Sequence, residues 1–191
     1  MVNVSTQFYI DVPTMIFIDG GYLRRWLKDE CDVQIEHYDL EKFAIKIAER
    51  TGWGNRRHII VRTYFYDGIV DSHEESYKKQ KEFHDSINYN FPNYEVRPGR
   101  LIRDGKGNFR QKGVDTLLAI DMIDKANSDQ YEIAIVVAGD LDHLEAIKTT
   151  KNKGKKVYGF FDEKTASKDL KLEYDRRYVL NNDTEGSYIL K

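Results

Sequence analysis

The stretch VVAGDLDHLEAI, residues 136–147, decides how this chain is read. An apolar run from Ile133 to Ala138 stops at Gly139. Asp140 and Asp142 follow, and then Leu141, Leu144 and Ile147 recur at helical spacing. The pattern predicts a buried strand, a turn and an amphipathic helix. In an open α/β sheet ligands bind at the carboxyl ends of strands. Two acids crowded there are unfavourable unless a cation joins them. One Asp is explained by capping the helix start, and the second is not.

The same grammar recurs upstream. Met15–Ile18 is apolar, Asp19 closes it, Gly20 and Gly21 follow, and Tyr22–Leu27 reads as a helix. A further acid, Asp115, opens VDTLLAIDMIDKA, where Val114, Leu117, Leu118, Met122 and Ile123 form a helical stripe. With the two strands adjacent and this helix beginning beside them, Asp19, Asp115, Asp140 and Asp142 converge. Carboxylates beside a parallel sheet suit hard divalent cations such as magnesium or manganese.

Strands are predicted at about 14–19, 59–66, 94–102, 108–111, 132–138, 156–161 and 178–180. Helices are predicted at about 21–29, 39–50, 71–88, 114–127, 141–153 and 165–172. This alternation predicts an α/β fold with a mainly parallel, doubly wound sheet. Residues 1–13 read as an N-terminal extension, 14–180 as one domain, and 181–191 as a C-terminal tail.

The 191 residues carry a formal charge of −2, so no global field draws the chain to a polyanion or a membrane. One cysteine, Cys31, excludes an intrachain disulfide. No signal pattern or membrane-length apolar run is visible, so no membrane partner is expected and the cytoplasm is the expected compartment. No two of the five histidines are spaced i, i+4, which argues against a zinc helix. Gly105–Gly107 reads as a hairpin turn rather than a dinucleotide loop.

Two basic strips flank the acids. Arg97, Arg100, Arg103, Lys106, Arg110 and Lys112 precede the 114–127 helix, and Lys148, Lys151, Lys153, Lys155 and Lys156 follow the Asp140 segment. The second strip reads better as a solvated helix end. Arg100 and Lys112 read better as phosphate contacts for a polyanion such as RNA. Tyr22 either stacks on a base or packs inside. His143 is a candidate general acid, with a helix-surface position expected. Asp121 supports the acid cluster or is solvated. Asp67 and Asp71 read as acids of an ordinary turn around Gly68, and Asp175 stands near the last strand.

MIFIDGGYL (15–23), YFYDG (64–68), RPGRLI with RQKGVDTLLAIDMI (97–123), IVVAGDLDHLEAI (135–147), GKKVYGFF (154–161) and LKLEYDRRYVL (170–180) form an ordered set. In that set the chain resembles the NYN domains of the PIN-like nuclease superfamily, in their LabA-like branch. The resemblance implies a three-layer α/β/α sandwich that binds Mg2+ or Mn2+ and hydrolyses RNA. It places metal-ligand and catalytic roles on Asp19, Asp115, Asp140 and Asp142, and leaves a homodimer open. Three positions depart from the family pattern: Tyr22 for an Asn, Ala138 for a Ser, and His143 for an aromatic. None removes a carboxylate. A haloacid-dehalogenase-type phosphatase would need an acid where Gly21 stands. A catalytically silent module that binds RNA or a protein is the alternative that the same residues permit.

Overall fold

The computed structural model describes residues 8–103 and 109–190. The turn expected around Gly105–Gly107, with Lys106, lies outside the described residues. Seven strands form one sheet: β1 (Ile10–Asp19), β2 (Arg56–Ile69), β3 (Tyr94–Arg103), β4 (Phe109–Lys112), β5 (Ile133–Val137), β6 (Lys156–Phe161) and β7 (Arg176–Val179). Their order is β4-β3-β2-β1-β5-β6-β7. All pairings are parallel except β3 with β4.

Six α-helices connect them: α1 (Gly20–Cys31), α2 (Leu40–Thr51), α3 (Tyr77–Asn90), α4 (Val114–Asn127), α5 (Leu144–Asn152) and α6 (Lys168–Glu173). Right-handed crossovers put α1–α3 on one face and α4–α6 on the other. Neighbouring residues of β2 show both faces. Phe65 meets Phe83 of α3, while the Tyr66 hydroxyl donates to Asp121 of α4. The result is a three-layer α/β/α sandwich. β1 from Thr14 and all of β5 are continuously buried, as strands covered on both faces must be.

The chain winds leftward from β1 to β2 and β3, then returns over α4 to β5 and winds rightward. The direction reverses between β1 and β5. Asp19 ends β1, and Asp140 follows β5 by three residues. The acids therefore lie at the topological switch point, where crevices form in doubly wound sheets.

Several boundaries differ from the sequence pattern. β1 begins at Ile10, inside the expected extension, because Ile10–Pro13 pair with Arg56–Ile59 of a longer β2. α3 begins at Tyr77 rather than near Asp71. The expected tail packs on the core: Tyr188 stacks on Tyr38, and the Leu190 N–H donates to the His37 carbonyl. Among the described residues no helix is long and apolar enough to cross a membrane.

Candidate metal centre

Asp19 is buried at the end of β1 and caps α1: its Oδ1 accepts the Tyr22 N–H at 2.9 Å. That leaves Oδ2 for another partner. Asp115 stands in the first turn of α4. Gly113, at φ 82°, makes the left-handed turn that starts this helix straight from β4. Asp115 is half-buried and faces Asp19 across the switch point.

The residue between them is His143. It is fully buried, with Nε2 3.8 Å from Asp19 Oδ2 and 3.7 Å from Asp115 Oδ1. These separations are too long for hydrogen bonds. Neither ring nitrogen of His143 has a hydrogen-bond partner. One ligand atom from each of Asp19, Asp115 and His143 lies within 4.8 Å of the others, a spacing that can hold a metal ion.

This corrects the expected helix-surface position of His143. Residues 141–143 form a 3-10 turn rather than the start of the α-helix. The tighter turn exposes Leu141 and points His143 inward, so the inner stripe is His143, Ala146, Ile147 and Thr150. Of the expected stripe of Leu141, Leu144 and Ile147, Ile147 is buried and Leu144 packs partly against the core, while Leu141 is turned out to solvent. Spacing of 143, 147 and 150 was available in the sequence, but two of those residues are polar and carry no apolar signal.

Asp140 and Asp142 are exposed on the solvent side. Asp140 caps the 3-10 turn, accepting the Asp142 N–H at 3.2 Å. Neither belongs to the close group of three, but both are near enough to act on it. Burial first, then Asp19, Asp140 and Asp142, push the Asp115 carboxyl above the usual carboxylate range, against an opposing pull from His143. Burial drags the His143 imidazole down, but Asp19, Asp115 and Asp140 outweigh it and leave it raised. All four aspartates thus share one electrostatic neighbourhood.

Other acids are engaged elsewhere. Asp121 is buried rather than solvated and takes a bidentate pair from Arg97, at 2.9 and 3.0 Å. That also removes Arg97 from the free basic strip. Asp67 is buried, pairing with Arg24 at 2.6 Å and His84 at 3.1 Å. Asp71 is exposed and pairs with His73, and Asp175 holds the Val157 N–H at 2.8 Å. None of these acids joins the group of three.

Tyr22 occupies its packing role. It is buried, its hydroxyl accepts the Asp162 N–H at 2.7 Å, and its ring fills the space beside Gly139. A Cβ on Gly139 would sit 2.5 Å from that ring. Of the two alternatives for Tyr22, the structure shows the packed one.

Arg100 and Lys112 are exposed and directly opposed across the β3–β4 ribbon, so they share one face. The other face carries Leu101 and Gln111, which seat against Gly68 and Gly21. In the second basic strip, Lys148 pairs with Glu145, Lys151 with Glu173, Lys155 with Asp129 and Glu132, and Lys156 with Asp175. The solvated helix-end reading holds for Lys148, which is partly exposed on α5, but not for Lys155, which is buried beyond the helix and held by its two carboxylates.

The site is thus a cluster of acids at the switch point of a doubly wound sheet. The NYN domain model matches residues 13–181, and the chain belongs to the NYN domain family, within the PIN-like superfamily. A crystal structure of a protein of unknown function from Vibrio parahaemolyticus is similar, with a TM-score of 0.62 at 19% identity over 94% of this chain and 96% of that one. At that identity the likeness is one of fold. No curated protein matches the chain.

Proposed function

We propose that this NYN domain is a divalent-metal-dependent ribonuclease. The observation that carries the reading is Asp19. It is a buried carboxylate with no lysine or arginine paired to it among the described residues, beside Asp115 and the orphaned nitrogens of His143. Buried charges persist when they are paired or bind metals, and this group supplies the donors without a fixed cation.

Asp19 and Asp115 would hold Mg2+ or Mn2+. When bound, such an ion lowers the pKa of a coordinated water and neutralises charge on a phosphodiester. Asp140 and Asp142, on the solvent side, orient water and deepen the local negative field. Arg100 and Lys112 bind RNA phosphates and bring the backbone toward the acids, with Arg100 able to do so bidentately. Magnesium keeps several waters, so four carboxylates need not all touch it.

The test is cleavage of single-stranded, structured and transfer RNAs by the purified chain with manganese, beside Asp140→Asn. The expected result is metal-dependent product from the parent and a collapse of activity in the variant. RNA bound by the parent with no metal-dependent product would overturn the enzyme reading in favour of a silent binding module. Full activity in Asp140→Asn would remove that residue from the site.

A further inference from the structure

The aspartates alone would make an all-oxygen site, and His143 changes its chemistry. We infer that His143 is a nitrogen ligand of the ion held by Asp19 and Asp115. We further infer that it biases this centre toward ions that accept imidazole, such as manganese or cobalt, over magnesium. The inference rests on the metal part of the proposed function and is independent of RNA cleavage.

Three observations support it. First, His143 is fully enclosed, yet both ring nitrogens lack a partner. Buried polar atoms are nearly always satisfied, and an exception calls for an unseen water or ion. Second, Nε2 stands 3.8 Å from Asp19 and 3.7 Å from Asp115. Ligands about 2.1 Å from a common ion lie roughly 3 Å apart at right angles and roughly 4 Å apart when opposed. The observed separations fall within that range, while a direct hydrogen bond would need nearer 3 Å. Third, the other Asp19 oxygen is taken by the Tyr22 N–H, so the oxygen nearest His143 is the one left for a ligand. Donor chemistry then sets the preference. Imidazole suits transition ions, whereas magnesium takes oxygen.

The experiment uses the metal alone on the full chain, stripped with chelator. Calorimetry with Mn2+, Co2+ and Mg2+ gives the affinity ratios, and pulsed electron paramagnetic resonance of the manganese-loaded protein reads nitrogen coupling. Coordinated imidazole should give 14N coupling in the parent, absent from His143→Phe. That variant should lose at least tenfold in Mn2+ and Co2+ affinity, with Mg2+ affinity held within about threefold. His143→Gln, which offers an oxygen, should narrow the manganese-to-magnesium ratio and guards against misfolding of the Phe variant. No nitrogen coupling in the parent, or coupling that survives in both variants, would overturn the inference. So would an unchanged metal ratio in a folded variant. Nitrogen-coupled manganese without RNA cleavage would refute the ribonuclease reading alone. Metal-dependent cleavage without nitrogen coupling would refute this inference alone.

Discussion

Replacing Asp115 with Asn sets two effects of opposite sign against each other. The Asp115 and Asp19 ligand atoms lie within 4.8 Å. Two unit charges at that separation repel by about 3.5 kcal/mol at an effective dielectric of 20. The Asp115 side chain is 45% exposed, so screening reduces this to about 1 kcal/mol. Asp140 and Asp142 add to it. Against this, an acid in the first turn of α4 gains about 0.3–1 kcal/mol from the helix dipole. Repulsion wins narrowly. Without metal, Asp115→Asn should be as stable as the parent, or more stable by up to about 1 kcal/mol. For a chain of this size that is a rise in Tm of about 2–4 °C.

The pH dependence has a definite sign. The folded pKa of Asp115 is raised, so the repulsive penalty is absent below the ordinary carboxylate pKa. It grows as pH climbs from the ordinary value through the raised one, so the advantage of Asn should build across that interval and level off above it. With metal the order reverses. At a hundredfold excess over Kd, the parent gains about 2.7 kcal/mol, or about 5–11 °C, and the variant should lose most of that. Melting curves in chelator and in manganese, from acid to neutral pH, decide the matter. A metal-free Tm below the parent's with the manganese shift intact would reduce Asp115 to a helix-start charge and refute the reasoning.

Asp67→Ala should cost about 2 kcal/mol, because it leaves the buried His84 without its carboxylate, while Arg24 is over a third exposed and keeps Glu36. Denaturant unfolding measures this, and the manganese shift should survive. Arg100→Ala and Lys112→Ala should each weaken RNA binding and lower the salt-dependence slope by about one, read from binding titrations between low and physiological salt. The chain should also lose stability as pH falls through the depressed pKa of His58, which burial and then Arg176 hold below its ordinary value. The Thr51 hydroxyl donates to the Ala48 carbonyl, so His58 Nδ1–H donates to Thr51 and a second proton would land on the enclosed, unpartnered Nε2. His58→Gln should flatten the acid limb of a pH–Tm profile.

Apolar periodicity located elements where tertiary contacts did not compete with it. α4 runs over Val114–Asn127 and β6 over Lys156–Phe161, as their patterns predict. The pattern was silent for Ile10–Pro13, whose side chains are mostly exposed and whose strand character comes from pairing with β2. At His143 it misled, because a three-residue 3-10 turn shifted the helix phase. The partners of Asp67 and Asp121 were illegible for another reason. Arg24 lies 43 residues from Asp67, and Arg97 lies 24 from Asp121, so only the folded sheet brings them together.

Those pairs also sort the acids by what neutralises them. Four aspartates are buried among the described residues: Asp19, Asp67, Asp121 and Asp162. Asp67 has Arg24, and Asp121 has Arg97 in a bidentate grip. Asp162 accepts from the Thr165 hydroxyl at 2.8 Å and the Lys164 N–H at 3.3 Å. Asp19 differs. It has one backbone donor and, on its free oxygen, an imidazole too distant to bond. Taking a carboxylate out of water is costly unless a counter-charge or donors restore what is lost. The chain supplies guanidinium groups to Asp67 and Asp121, and at the switch point it instead adds Asp115, with Asp140 and Asp142 on the open side. Adding negative charge around an already buried carboxylate raises the cost of the apo fold, and the single imidazole of His143, raised by Asp19, Asp115 and Asp140, is the one group of the chain that offsets it there among the described residues. A cation arriving from solution would relieve that cost, which supports the proposed binding site at the sheet's reversal point, whereas Asp67 and Asp121 are neutralised by structural pairs.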